Sequence, residues 1–310
     1  MKVLFHAAAG PDLAARLERL PGLDVTVCRE QDTDTLFRLL LDCDILWHVL
    51  QRCTQEMIAA APRLKLIQKI GVGVNTIDLD AAKLRGIPVC NLPGTNARAV
   101  AELTLGLMLS VLRRIPAFDQ NLRTGTWTDT GLQDGIGELG GRTVGLVGFG
   151  AIPRILAPIL TAIGCAVIYT SRGPVSVPKT SFRPLQDLLA EADIVSLHLP
   201  LVPETEHTID AAALDRMKRG AILINTGRGG LVDQPALAAA LAAGRIAGAG
   251  LDVFEFEPLP PDDPILLLPN VVVTPHVAWL TTGTFDRAFA VAAENCRRVV
   301  SKEPLLHRVA

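Results

Sequence analysis

Val144-Gly145-Leu146-Val147-Gly148-Phe149-Gly150-Ala151-Ile152-Pro153 reads as a buried strand, a glycine turn and the opening of a helix. Gly148 permits a tight turn, and Gly150 lets backbone amides approach a pyrophosphate at the positive end of the helix. The pattern alone is weak, because Pro153 stands where a third glycine usually allows close helix–sheet contact. Proline is tolerable there, since an amide in the first helical turn has no intrahelical partner. Pro158, deeper in the same stretch, should cost a backbone hydrogen bond and kink the helix or make its start irregular. Context favours the nucleotide reading: a buried strand precedes the turn, a helix follows, and a second strand lies at a suitable distance.

That second strand ends Val167-Ile168-Tyr169-Thr170-Ser171-Arg172. NAD-selective sites usually carry Asp or Glu here to bind the ribose hydroxyls, and this chain has no acid between Thr161 and Asp187. Ser171 repels no phosphate, and Arg172 can pair with one through charge-assisted hydrogen bonds. NADP(H) is therefore expected ahead of NAD(H), with NAD(H) still admissible.

Outward from this point the β-α rhythm continues, with strands expected over 144–147, 166–169, 194–198, 221–225, 249–253 and 271–274. Helical patterns at 152–163, 185–191, 211–218 and 235–243 separate them. Continuous apolar runs such as Ala221-Ile222-Leu223-Ile224 fit parallel strands buried on both faces. The first hundred residues carry the same rhythm in short pieces, beginning with a strand at 2–5. The fold class is α/β, with two Rossmann-like or flavodoxin-like domains built on parallel sheets. Between these stretches come an apolar helix from Ala97 to about Ile115 and an excursion over 116–141 across the surface or onto a second subunit, and a last helix covers about 285–300.

Composition agrees. Of 310 residues, 49% are hydrophobic and 20% charged, enough for two cores and the reverse of a disordered chain. A net charge of −2, with no Lys/Arg run longer than two, argues against a nucleic-acid partner. The most apolar long stretch, 97–115, carries Arg98, Glu102, Arg113 and Arg114, so no membrane span is expected. Val3-Leu4-Phe5 is too short an apolar core for a signal peptide. The six cysteines have no C-x-x-C spacing, which points to a reducing, cytoplasmic setting. His6, His48, His207 and His307 are scattered without ligand spacing, so no metal is expected. Lys69 and Arg52 are expected to face solvent.

Three further strand ends carry chemistry. In Ile224-Asn225-Thr226-Gly227-Arg228-Gly229 a cation flanked by glycines follows a buried strand. That is the carboxyl edge of the sheet, where an arginine can grip a carboxylate or carbonyl with two hydrogen bonds. Leu251-Asp252-Val253-Phe254-Glu255-Phe256-Glu257 and Thr274-Pro275-His276 end neighbouring strands. Glu257 beside His276 would favour imidazolium and keep a proton ready for a carbonyl oxygen. Singly each residue is more often structural; all three at the ends of different strands indicate one site.

These motifs, with Gly71-Val72-Gly73, Ile77-Asp78, Gly86-Ile87-Pro88-Val89, residues 96–102 and His198-Leu199-Pro200, resemble the D-isomer-specific 2-hydroxyacid dehydrogenase family from Leu64 onward. The resemblance implies a coenzyme domain over 98–284, a substrate domain from 1–97 and 285–310, and an active site in the cleft between them. It implies Arg228 as the substrate-orienting cation, His276 as general acid/base and Glu257 as its partner, with Val72 and Gly73 amides on the substrate carboxylate. Coenzyme contacts would fall at Gly148, Phe149, Gly150, Ala151, Ile152, Ser171, Arg172, Pro200, Thr205, Thr226, Gly227, Asp252 and Ala278, while His198 would be structural. It also implies hydride transfer between a nicotinamide coenzyme and a small 2-oxo/2-hydroxy acid, and a homodimer built through 97–141. Trp279 should lean over the cleft and favour glyoxylate or hydroxypyruvate. The alternative is a non-catalytic, dinucleotide-binding regulator of the corepressor type, against which the intact Arg228, Glu257 and His276 argue.

Overall fold

Alternating strands and helices with short connections drive each part of the chain into a parallel sheet covered on both faces. A computed structural model, which describes residues 1–310, resolves two units: Met1–Asn96 with Thr281–Ala310, and Ala97–Leu280. The divisions fall slightly before the expected 98 and 285.

In the first unit β1 (Lys2–His6), α1 (Pro11–Glu18), β2 (Asp24–Cys28), α2 (Thr33–Leu40), β3 (Ile45–His48), α3 (Gln55–Ala59), β4 (Leu66–Lys69), α4 (Leu79–Leu84) and β5 (Val89–Cys90) follow in turn. The sheet order is β2-β1-β3-β4-β5, all parallel. Leu4, Leu46 and Ile67 pack on one face with residues of α2, α3 and α4. On the other face the closing helix α12 (Thr282–Ser301) stacks Phe289 on Trp47 with ring centroids 5.5 Å apart. Asn295 of α12 donates to the buried Gln68 of β4 at 2.8 Å.

The second unit opens with α5 (Ala97–Leu112), α6 (Ile115–Arg123) and α7 (Thr130–Gln133). The expected surface excursion is thus half helical. Arg114, in the left-handed region at φ 50°, turns the chain from α5 into α6. There follow β6 (Thr143–Val147), α8 (Ala151–Ala162), β7 (Ala166–Thr170), β8 (Thr180–Phe182), α9 (Leu185–Glu191), β9 (Ile194–Leu197), α10 (Ala211–Arg216), β10 (Ile222–Asn225), α11 (Gln234–Ala242), β11 (Gly248–Leu251) and β12 (Val271–Val273). Their order is β12-β11-β10-β9-β6-β7-β8, again parallel. Sequence reading missed β8, whose three residues are too short and too polar to stand out. One apolar cluster joins the sheet to α5 and α8, another to α9, α10 and α11.

Helix α8 runs without interruption from Ala151 to Ala162, so Pro158 does not break it. Pro158 is exposed, as is Arg154 one turn earlier. The carbonyl that loses its amide partner therefore lies on the solvent side of the helix, where water can replace it. No helix is long and apolar enough to cross a membrane. All six cysteines are free and buried.

Candidate active site

Strands β10, β11 and β12 lie side by side, so the loops at their carboxyl ends are neighbours. The first carries Arg228, the second Asp252 to Glu257, the third His276. Nδ1 of His276 lies 2.6 Å from Oε2 of Glu257. The other carboxylate oxygen, Oε1, accepts the Phe254 amide at 3.0 Å. Burial works to raise the Glu257 carboxyl. The hydrogen bond and charge of His276, the Phe254 amide and the charge of Arg228 outweigh it and hold the group below its ordinary value. With Nδ1 committed to the carboxylate, Nε2 is the ring nitrogen left to exchange a proton with a substrate.

The backbone of His276 sits in the left-handed region at φ 55°, which histidine adopts at some cost. Asp252, fully buried, holds that turn. Its carbonyl accepts the His276 amide at 2.8 Å. Its carboxylate accepts the Thr274 hydroxyl at 2.5 Å and the Val277 and Ala278 amides at 2.9 Å each. Burial raises the Asp252 carboxyl despite these donors. Trp279 donates its indole N–H to the His276 carbonyl at 3.0 Å, so the indole braces the same turn.

Arg228 is half-buried, and burial lowers its guanidinium while the Glu257 charge opposes that. A guanidinium stays charged through such a shift. Its Nη1 donates to the Gly227 carbonyl at 2.7 Å. Asn225 ties the loop from both sides, accepting the Gly227 amide at 3.0 Å and donating to the Arg228 carbonyl at 2.9 Å. Gly229 is obligatory for another reason: a Cβ there would lie 1.8 Å from the carbonyl carbon and oxygen of Phe254. The Arg228 loop therefore presses directly on the loop that carries Glu257. Sequence reading passed over Asn225, although an asparagine that bonds its own backbone two and three residues on is a local turn signal.

The glycine turn fits a dinucleotide. Gly148 adopts φ 95°, and a Cβ there would lie 2.6 Å from the His198 carbonyl oxygen. Gly150 caps α8 without any side-chain bond to its amides, and the space where its Cβ would project is open. The first amides of α8 are thus free to meet a phosphate, as such helix ends do. Phe149 turns inward onto Tyr169, with ring centroids 4.3 Å apart. Pro153 is buried in the first turn of α8.

Ser171 turns its hydroxyl to the Gly173 carbonyl at 2.5 Å, and Arg172 is exposed. The Thr205 hydroxyl donates to the Pro200 carbonyl at 2.6 Å, closing that turn. Thr226 is buried and shares a 2.9 Å hydroxyl contact with Thr104 of α5, a partner that sequence reading did not identify. His198 lies 3.0 Å from the Ser196 hydroxyl, and burial pushes its imidazole down to about 3.

In the first unit Val72 is exposed, and its carbonyl accepts the Asn91 side chain at 2.8 Å. Lys69 corrects an expectation: it is buried rather than solvent-facing, with Nζ donating to the Val49 carbonyl and lying 3.4 Å from His48 Nδ1. Arg52 is exposed, as read. His6 and His48 are not scattered, since they pair in register at the ends of β1 and β3, with Lys69 next along on β4. No group of three or more His, Cys, Asp or Glu is placed to hold a metal.

Comparison with known proteins gives a match over residues 105–278 to the model of the D-isomer specific 2-hydroxyacid dehydrogenase NAD binding domain. A glyoxylate reductase of Aeropyrum pernix is 41% identical over 288 residues, covering 89% of this chain and 82% of the relative. A D-3-phosphoglycerate dehydrogenase of Mycobacterium tuberculosis is 42% identical over 252 residues, covering 80% of this chain. The chain spans about half the length of that relative, 47%. Among solved structures, a protein from Thermus thermophilus superposes with a TM-score of 0.90 at 40% identity, covering 100% of both chains. An acyclic imino acid reductase in complex with NADPH and D-Arg superposes with a TM-score of 0.85 at 29% identity over 100% of both chains.

Proposed function

The chain belongs to the D-isomer specific 2-hydroxyacid dehydrogenase family, and from that premise we propose that it is a nicotinamide-dependent reductase of small 2-oxo acids, with glyoxylate and hydroxypyruvate the favoured substrates. The observation that carries this reading is the 2.6 Å His276–Glu257 pair on the strand end next to Arg228. The bound coenzyme supplies a hydride for the substrate's carbonyl carbon. Arg228 grips the carboxylate and carbonyl and polarises the C=O bond. Nε2 of His276 gives its proton to the carbonyl oxygen as the 2-hydroxy acid forms, and Glu257 keeps the ring oriented and offsets its charge. In the oxidative direction the neutral ring takes the hydroxyl proton back.

NADPH is the proposed coenzyme. No carboxylate ends β7 to repel a 2′-phosphate, and the exposed Arg172 offers it a partner. The segment 97–141 is the proposed homodimer contact. Assay of a panel of 2-oxo acids with both coenzymes tests the reading. Reduction of glyoxylate or hydroxypyruvate, with kcat/KM higher for NADPH than for NADH, is the expected outcome. Equal or better use of NADH removes the coenzyme assignment. Coenzyme binding without turnover of any panel member overturns the enzyme reading in favour of a dinucleotide-binding regulator.

A further inference from the structure

We propose that His207 is a positioning residue that fastens the Arg228 loop to the Glu257 loop; this rests on the reductase reading above. The residue lies beyond β9, outside every motif that suggested the site. Its amide donates to the Gly230 carbonyl at 2.9 Å, and two residues on, the Ile209 amide donates to the Leu231 carbonyl at 3.0 Å. The backbone thus clips the loop that holds Arg228. The side chain reaches the other loop, with Nε2 3.3 Å from Oε1 of Glu255. The Glu255 amide is itself held by Gln234 Oε1 at 3.1 Å, and the preceding Phe254 amide donates to Glu257 at 3.0 Å. The Phe254–Glu255 peptide is the one that Gly229 presses against. One residue therefore touches both loops whose relative placement sets where Arg228 stands with respect to Glu257 and His276.

Two features set this contact apart from an incidental surface pair. His207 takes φ 47°, a left-handed conformation that bulky residues seldom adopt and that tends to persist where surrounding structure requires it. The side chains are 40% and 27% exposed, so the pair contributes little to global stability. Its effect is on geometry, and small displacements of a catalytic group are costly to rate.

The test compares His207→Ala and His207→Gln with the wild type. Both variants keep the backbone amide; glutamine can still donate to Glu255. In His207→Ala, kcat for 2-oxo acid reduction should fall about tenfold. The coenzyme Kd should stay within about twofold and Tm should change little. Reduction should fade at lower pH than in the wild type, as Glu257 loosens from His276. Carbon NMR of the Glu257 carboxyl reads the same contact without turnover, and its titration should rise toward the ordinary carboxylate range in His207→Ala. His207→Gln should recover most of each effect. Wild-type kcat, pH profile and Glu257 titration in His207→Ala would overturn the proposal, as would a glutamine variant no better than alanine. A wild type that reduces no 2-oxo acid defeats the function reading instead, and the NMR titration still decides the role of His207.

Discussion

His276 and Glu257 meet through one nitrogen and one oxygen, which separates the two roles by substitution. His276→Ala removes the proton donor and leaves the glycine turn untouched. Turnover should therefore drop by about 10²–10⁴-fold, with coenzyme affinity retained. A variant reducing the preferred 2-oxo acid at wild-type rate would refute the assignment. Glu257→Gln keeps a hydrogen bond to the ring but removes the counter-charge, so activity persists while reduction fades at lower pH; an unchanged profile counts against the pair. Arg172 poses a question of charge alone. Arg172→Ala should weaken NADPH far more than NADH in direct binding, because only NADPH carries the 2′-phosphate. Equal losses would mean that the guanidinium contacts something common to both coenzymes.

At the scale of elements, the ends of β1, β3 and β4 place His6, His48 and Lys69 in one row under cover. Neither ring nitrogen of His6 has a protein partner. Burial lowers the His6 imidazole from its ordinary 6.5, only partly opposed by the Glu30 charge, and burial likewise lowers His48, helped by Lys69. The unfolded chain therefore takes up protons at a higher pH than the folded one. Stability is fully present above about pH 6.5 and is lost as pH falls below it, by about 1.4 kcal/mol for each unit of lowering. His6→Leu should flatten the fall of Tm between about pH 7 and pH 5. It should cost little at neutral pH, because the unpaired nitrogens leave with the ring. A variant with the wild-type slope would show that other groups dominate. Helix α8 makes the complementary point: a proline on its wet side is accommodated where one on its buried side would leave a carbonyl without water.

For the whole molecule, the first unit takes in both the start and the end of the sequence, 1–96 with 281–310. The last residues complete it: the Val309 amide donates to the Val89 carbonyl at 2.8 Å, and the Val89 amide to the Ala310 carbonyl at 3.1 Å. In the second unit, α6 shows an apolar stripe at Ile115, Phe118 and Leu122, spaced at helical intervals, with Trp127 85% exposed just beyond it. Surfaces of this kind are commonly covered by a partner. Light scattering should find twice the 33.1 kDa chain mass. Leu122→Glu with Trp127→Glu should yield monomers of unchanged helicity, since neither side chain supports the core. A wild type that remains monomeric at micromolar concentration would end the dimer proposal.

The alternation of elements, the glycine turn and the three charged residues at strand ends were legible in the sequence, because buried parallel strands leave continuous apolar runs and turns need particular residues. The absence of an acid after β7 was legible for the same reason, since the position is set by counting from the turn. Contacts between segments far apart in sequence were set by the folded arrangement alone. Thr104 beneath Thr226, Asp252 under His276, Gly229 against Phe254 and His207 on Glu255 are all meetings of distant segments that no local pattern encodes. The burial of Lys69 and the pairing of His6 with His48 belong to the same class. Local propensity reports what a residue can do along its own chain, whereas burial and hydrogen-bond partners are set by which strands become neighbours, and that depends on packing of the whole sheet.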